Sequence, residues 1–135
     1  MALFGTDGIR GKIGSELSAN LSFDVSRAFG FYLRRNLPGL PVLLGKDTRF
    51  SGDMIESAIS AGLSSQGVDV ISLGVITTPG LQYLCSYREC AGVMITASHN
   101  LAADNGIKLF SKGGLKLSPD EEACVDSFVN SDFAE

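Results

Sequence analysis

Residues 98 and 99 set a serine beside the only histidine of the chain, directly after the apolar run "GVMITA". A hydroxyl released at the end of a buried strand is exposed yet rigidly held, as a nucleophile or a carrier of a phosphoryl group requires. A serine-hydrolase pair fits poorly. Adjacent side chains on an extended segment point to opposite faces, which places His99 badly for taking the Ser98 proton. No G-x-S-x-G elbow occurs either. The plain alternative is a polar turn in which Ser98, His99 and Asn100 bond to their own backbone.

Cations nearby in the sequence shift the balance toward chemistry. Asn105-Gly106 is a turn signal that brings the chain back, so that Lys108 in "GIKLF" falls near the same strand ends. A lysine beside a second cation in a partly desolvated cleft has its pKa lowered toward proton exchange. Arg10, in the glycine-rich "GTDGIRG", is a candidate for that neighbour and for bidentate phosphate binding. The segment "GKDTRFSG" resembles a phosphate loop superficially. It is not a Walker A loop, because Lys46 is followed by Asp47 and no glycine stands five residues before Gly45. Lys46, Asp47 and Arg49 read more simply as a salt-bridged loop near a helix start.

The elements that must position these residues alternate along the chain. Val25, Ala28, Phe29, Tyr32, Leu33 and Leu37 recur at helical spacing and predict a helix over 22–37, capped by Asn20 or Ser22 and stopped by Pro38-Gly39. Val42 to Leu44 read as a strand. A second helix is predicted over 51–66, with Ser51 as cap, Gly67 as stop and an inward stripe from Met54 to Leu63. The β-branched "VDVISLGVI" reads as a strand, and Thr78-Pro79 opens a third helix carrying Leu81, Leu84 and Cys85 inward. Strands at 91–97 and in "GIKLF" follow. Ser118-Pro119-Asp120-Glu121 resembles the start of a last helix with acids in its first turn, followed by Ala123, Cys124, Phe128 and Val129.

This alternation predicts a single three-layer α/β domain over 1–135, with a mostly parallel sheet and helices on both faces. "IRGKI" and "GIKLF" cannot be oriented from sequence, so the sheet is allowed to be mixed. Ligands of open α/β sheets gather at the carboxyl ends of strands. Four loops are read as leaving such ends toward one crevice: 45–52, "TTPG", "SHN" and "GTDGIRG".

Composition bounds the partners. With 11 Lys+Arg against 15 Asp+Glu the net charge is −4, and no dense basic run occurs, which argues against nucleic acid. The apolar runs are far short of a membrane span, and the N-terminus lacks the pattern of a signal peptide. A cytoplasmic, non-membrane protein is the expectation. Cys85, Cys90 and Cys124 have no close pairing and only one histidine for company, so buried free thiols are expected rather than a metal site.

Taken together, "FGTDGIRG" (4–11), "GKDTRFSG" (45–52), "GVITTPGLQYL" (74–84), "ITASHN" (95–100) and "NGIKLFS" (105–111) resemble the first domain of the α-D-phosphohexomutases. Within that family the segments look most like the bacterial branch that acts on glucosamine phosphate, with mannose and glucose phosphates as alternatives. The resemblance implies a mutase that moves a phosphoryl group between the 6- and 1-positions of a hexose through a bisphosphorylated intermediate. It implies that Ser98 carries the phosphoryl group, that Lys108 is the general acid/base, and that His99 and Arg10 support the transferring phosphate. It also implies Mg²⁺, with Ser98 as a ligand through its phosphate. The family usually follows Ser-His-Asn with proline, and here Leu101 stands there.

Family members have four domains, and the metal loop, sugar recognition and substrate-phosphate binding belong to the other three. No triple-aspartate metal loop occurs in this chain. The chain alone is therefore expected to be incompetent as a mutase, its partners being a hexose phosphate and the remaining domains of one polypeptide. The competing reading is a standalone phosphosugar- or anion-binding module that kept the loops and lost the chemistry.

Overall fold

The computed structural model describes residues 3–131, and in that span six strands and four helices form one mixed sheet with helices on both faces. The elements are β1 (Ile9–Lys12), α1 (Ala19–Asn36), β2 (Val42–Lys46), α2 (Gly52–Ser65), β3 (Val70–Val75), α3 (Thr78–Arg88), β4 (Ala91–Ile95), β5 (Asp104–Ser111), β6 (Leu115–Lys116) and α4 (Pro119–Val129).

The sheet order is β1-β5-β4-β2-β3, with β6 on β5. Strands β2, β3 and β4 are parallel, as right-handed β–α–β crossovers allow. Strand β5 runs antiparallel to β4, and β1 pairs antiparallel with β5, so the sheet is mixed. "GIKLF" is the core of a longer strand that begins at Asp104. The β5–β6 hairpin went unpredicted because β6 has only two residues, both exposed.

Two apolar layers follow from the alternation of strand side chains. Val42, Leu44, Val93, Ile95, Ile107 and Leu109 face α1, α2 and α4. Leu43, Met94 and Phe110 face α3 through Leu81 and Cys85. Helices α1 and α2 touch closely. A Cβ on Gly62 would lie 2.7 Å from the Phe23 carbonyl oxygen and 2.9 Å from the Arg27 nitrogen, so only glycine permits that approach. Across α1 and α4, the Phe31 and Phe128 rings meet edge to face at 4.9 Å, and the Tyr32 hydroxyl donates to Glu121 at 2.7 Å.

Several boundaries differ from the sequence reading. Helix α1 starts at Ala19, not near residue 22, because the Ser18 hydroxyl accepts the Leu21 N–H at 3.0 Å. Ser51 is the N-cap residue of α2 but makes no side-chain cap there; its hydroxyl accepts from Asn105 at 2.9 Å and ties α2 to β5. Met54 is exposed rather than inward. Helix α3 does open at Thr78-Pro79, with Thr77 before it as the cap that accepts the Gly80 N–H. Ser118 and Glu121 form a reciprocal capping box that begins α4 as its sequence predicts. The thiols are free, with Cys85 and Cys90 buried and Cys124 only half-buried. Burial pushes Cys85 up to about 11, which leaves it unreactive.

Candidate functional site

Strand β4 ends at Ile95, and the chain beyond it is held from both sides. On the β5 side, the Thr96 N–H donates to the Gly106 carbonyl at 3.0 Å. Gly106 is required there: a Cβ would lie 2.6 Å from the Thr96 oxygen and 2.8 Å from the Ile9 oxygen. On the β2 side, the Asp47 N–H donates to the Ile95 carbonyl at 3.0 Å. Asp47 Oδ2 then accepts the Thr96 hydroxyl at 2.6 Å, while Thr96 Oγ1 accepts the Ser98 N–H at 3.0 Å.

Ser98 follows in the left-handed region, with φ of 55°, where few residues other than glycine settle without support. Residues 98 to 100 are exposed. The segment is thus a turn and not an extended strand end, which corrects the geometry assumed from sequence for the Ser98–His99 pair. Among the described residues no hydrogen bond joins the two side chains, so the pair is not assembled for hydrolysis. His99 stands in solvent beside Ser98.

Arg49 completes the support. Its Nε donates to Asp47 at 3.3 Å, Nη1 to the carbonyls of Leu101 and Asp104, and Nη2 to those of Ser98 and Asn100 at 3.0 Å each. The Asp47 carboxylate is also held by the Arg49 N–H at 3.0 Å. The sequence reading of a salt-bridged loop is right for Asp47 and Arg49, which lie 3.3 Å apart. It missed that this loop is the cradle of the Ser98 turn. Lys46 belongs elsewhere: its ammonium bonds Asp53 at 2.6 Å and Glu56 at 3.0 Å on α2. Those two bonds raise its pKa and commit it as a structural cation.

Arg10 and Lys108 lie on the α3 side of the sheet. Arg10 pairs in register with Gly106 on β5, level with Thr96. Among the described residues its Nε is buried without an acceptor, and its guanidinium has only a long 4.0 Å approach to Asp7. Lys108 pairs with Met94, one residue before the end of β4, near the strand end as the sequence suggested although inside β5 itself. It lines a cavity of about 210 Å³ with Thr6, Asp7, Thr78, Gln82, Lys116 and Glu122. That cavity opens where β5 is unpaired, between Ile107, its last partner of β1, and Phe110, its first partner of β6.

The expected single crevice is therefore divided. Asp47, Thr48, Thr77, Thr78 and Thr96 line one cleft over the ends of β2 and β3, and Thr78 also lines the Lys108 cavity. The Thr6–Gly8 turn enters β1 instead of leaving a carboxyl end, and lines both the Lys108 cavity and an adjoining hollow with Arg10. Ser98 and His99 are exposed and are not among the residues that line these cavities.

Among the described residues no three His, Cys, Asp or Glu side chains converge on a metal position. Ser98, once phosphorylated, would offer Mg²⁺ oxygen ligands without a carboxylate set to complete them. No described helix is long and apolar enough to cross a membrane.

Comparison with known proteins agrees with this architecture. A phosphoglucosamine mutase of Bacillus subtilis is 49% identical over 128 residues, covering 94% of this chain and 29% of that protein. One from Ligilactobacillus salivarius is 47% identical over 135 residues, covering 98% of this chain and 30% of the relative. A solved phosphoglucomutase/phosphomannomutase family protein of Burkholderia thailandensis superposes with a TM-score of 0.84 at 29% identity, covering 96% of this chain and 30% of that one. The chain thus spans about 30% of the length of these relatives. The family model for the α/β/α domain I of phosphoglucomutase/phosphomannomutase matches residues 1–135. The chain belongs to the phosphoglucomutase/phosphomannomutase family, as its first, α/β/α domain.

Proposed function

We propose that this chain is the phosphoryl-carrying domain of a phosphosugar mutase that interconverts hexose 6-phosphate and hexose 1-phosphate, with glucosamine phosphate as substrate. The observation that carries the reading is the contrast at Ser98. Its peptide is bonded at both N–H and C=O, while the residue itself is exposed. A group that must hand over a phosphoryl moiety needs that combination of fixed backbone and open approach.

In the forward step, the Ser98 Oγ–P bond breaks as a sugar hydroxyl oxygen bonds to phosphorus, and the hydroxyl proton passes to Lys108. The bisphosphorylated sugar reorients. Its other phosphoryl group then returns to Ser98 Oγ, and Lys108 returns the proton to the departing sugar oxygen. Arg10, with an N–H that lacks an acceptor, supports the phosphoryl oxygens, and His99 stands beside the transfer. Mg²⁺, when bound, neutralises phosphoryl charge; its ligands beyond Ser98 are assigned to the remaining domains of the same polypeptide.

Sugar recognition is assigned to those domains too, because the relatives are more than three times as long as this chain. Turnover of glucosamine 6-phosphate by the longer protein tests the reading. Ser98→Ala should abolish activity with the fold retained, and substantial residual turnover would sink the phosphoserine role. The 135-residue chain alone should show no mutase turnover. Measurable turnover by it would overturn the division of labour between domains.

A further inference from the structure

Arg49 lies two residues from Asp47 in a loop that reads as a routine ion pair, yet its bonding is unusual. A guanidinium has five N–H donors in a fixed fork. In Arg49 one goes to Asp47 and four go to the carbonyls of Ser98, Asn100, Leu101 and Asp104. None is left for a ligand.

From this saturation we infer that Arg49 is a positioning residue for Ser98, gripping the 98–104 turn through its carbonyls and not binding the transferred phosphoryl group. The inference rests on the reading of Ser98 as phosphoryl carrier. Asp47 is the other jaw. It accepts from Arg49 Nε and from Thr96, whose hydroxyl oxygen accepts the Ser98 N–H. The peptide of residue 98 is therefore gripped at its N–H through Asp47–Thr96 and at its C=O by Arg49 directly. That double grip supports the φ of 55° that Ser98 adopts. Leu101 replaces the proline that would restrict the turn from within, and here the restriction comes from across the sheet end. Lysine keeps the charge but has no planar fork and cannot reach four carbonyls at once.

Amide hydrogen exchange on the chain tests this. In Arg49→Lys and Arg49→Gln the Ser98, Asn100 and Asp104 amides should exchange at least about tenfold faster, as loss of charge-assisted bonds to a local turn implies. The amides of α1 and β2 should be unchanged. Exchange in Arg49→Lys equal to that of the parent chain would show that charge alone suffices and would overturn the inference. Should a variant not fold, side-chain NMR of the parent chain still decides. The Arg49 Nη protons should be resolved and slow to exchange, whereas a rotationally averaged, fast-exchanging guanidinium would refute the grip.

In the longer protein, phosphoryl uptake by Ser98 from a hexose 1,6-bisphosphate should fall about tenfold to a hundredfold in Arg49→Lys with substrate KM little changed. If the parent protein takes up no phosphoryl group, the reading of Ser98 fails, while the exchange result still decides the role of Arg49.

Discussion

Arg10 and Arg49 flank the same strand end and are used in opposite ways. Arg49 reaches in from the β2 side with every donor committed to protein oxygen atoms. Arg10 comes from the β1 side with its buried Nε lacking an acceptor and its carboxylate neighbour 4.0 Å away. Two residues of one type thus separate two tasks. One has all five donors on protein oxygen atoms around the 98–104 turn; the other has, among the described residues, a buried donor with no acceptor, which fits the proposed phosphoryl contact. The difference teaches that a cation near a putting-down point for phosphate is not thereby a phosphate ligand; its donor inventory decides.

The comparison breaks most severely at the backbone crossing between the two arginines. Gly106→Ala should destabilise by about 3 kcal/mol, because the added methyl meets carbonyl oxygens of Thr96 and Ile9 on either side. Urea denaturation measures it, and a change below about 0.5 kcal/mol, the range of inert surface substitutions, would mean the strands part easily there. Next comes Asp47→Asn, which removes the charge from the jaw shared by Arg49 and Thr96. A loss of about 2 kcal/mol is expected in the same assay. Arg10→Met should change stability by less than about 0.5 kcal/mol, since no strong bond is lost and an orphaned donor is removed. A loss as large as that of Asp47→Asn would place Arg10 among the structural residues and dissolve the comparison.

A pair remote from the site should control the pH dependence of stability instead. Burial, with the Glu121 carboxylate beside it, pushes the Tyr32 phenol up to about 12. Unfolded tyrosine ionises near 10, so stability should fall as pH rises from about 10 toward 12. Burial works against the Glu121 carboxylate, but hydrogen bonds from Ser118 and Tyr32 outweigh it and lower its pKa. That contribution is present above the usual carboxylate value of 4.5 and is lost as pH falls through the lowered one. Tyr32→Phe should flatten the alkaline limb in thermal melts; an unchanged limb would assign it to other groups.

What the sequence revealed divides along the same line. Ser98, Lys108 and Arg10 could be singled out as candidates because each sits in a local pattern: an apolar run ending in a hydroxyl, a turn signal followed by a cation, a glycine-rich start. Helices α1 to α4 were visible from period and stops, and their errors came from single caps. Ser18 captured the start of α1, where Asn20 and Ser22 fitted a cap equally well. Arg49 was not visible, because its partners lie about fifty residues further along the chain and only the parallel pairing of β2 with β4 brings them together. The one available signal was an Asp-x-Arg directly after a strand, which is compatible with many loops. The division of the crevice was hidden too, since it depends on β1 starting level with Ile107 and on a two-residue β6.

The account stands on Ser98 as the acceptor of a phosphoryl group. Peptide mapping of the longer protein after exposure to a hexose 1,6-bisphosphate tests it most directly. One phosphoryl group on the peptide bearing Ser98, absent in Ser98→Ala and slowed in Arg49→Lys, is the predicted result. An unmodified Ser98, or a phosphoryl group carried by another residue, would contradict it.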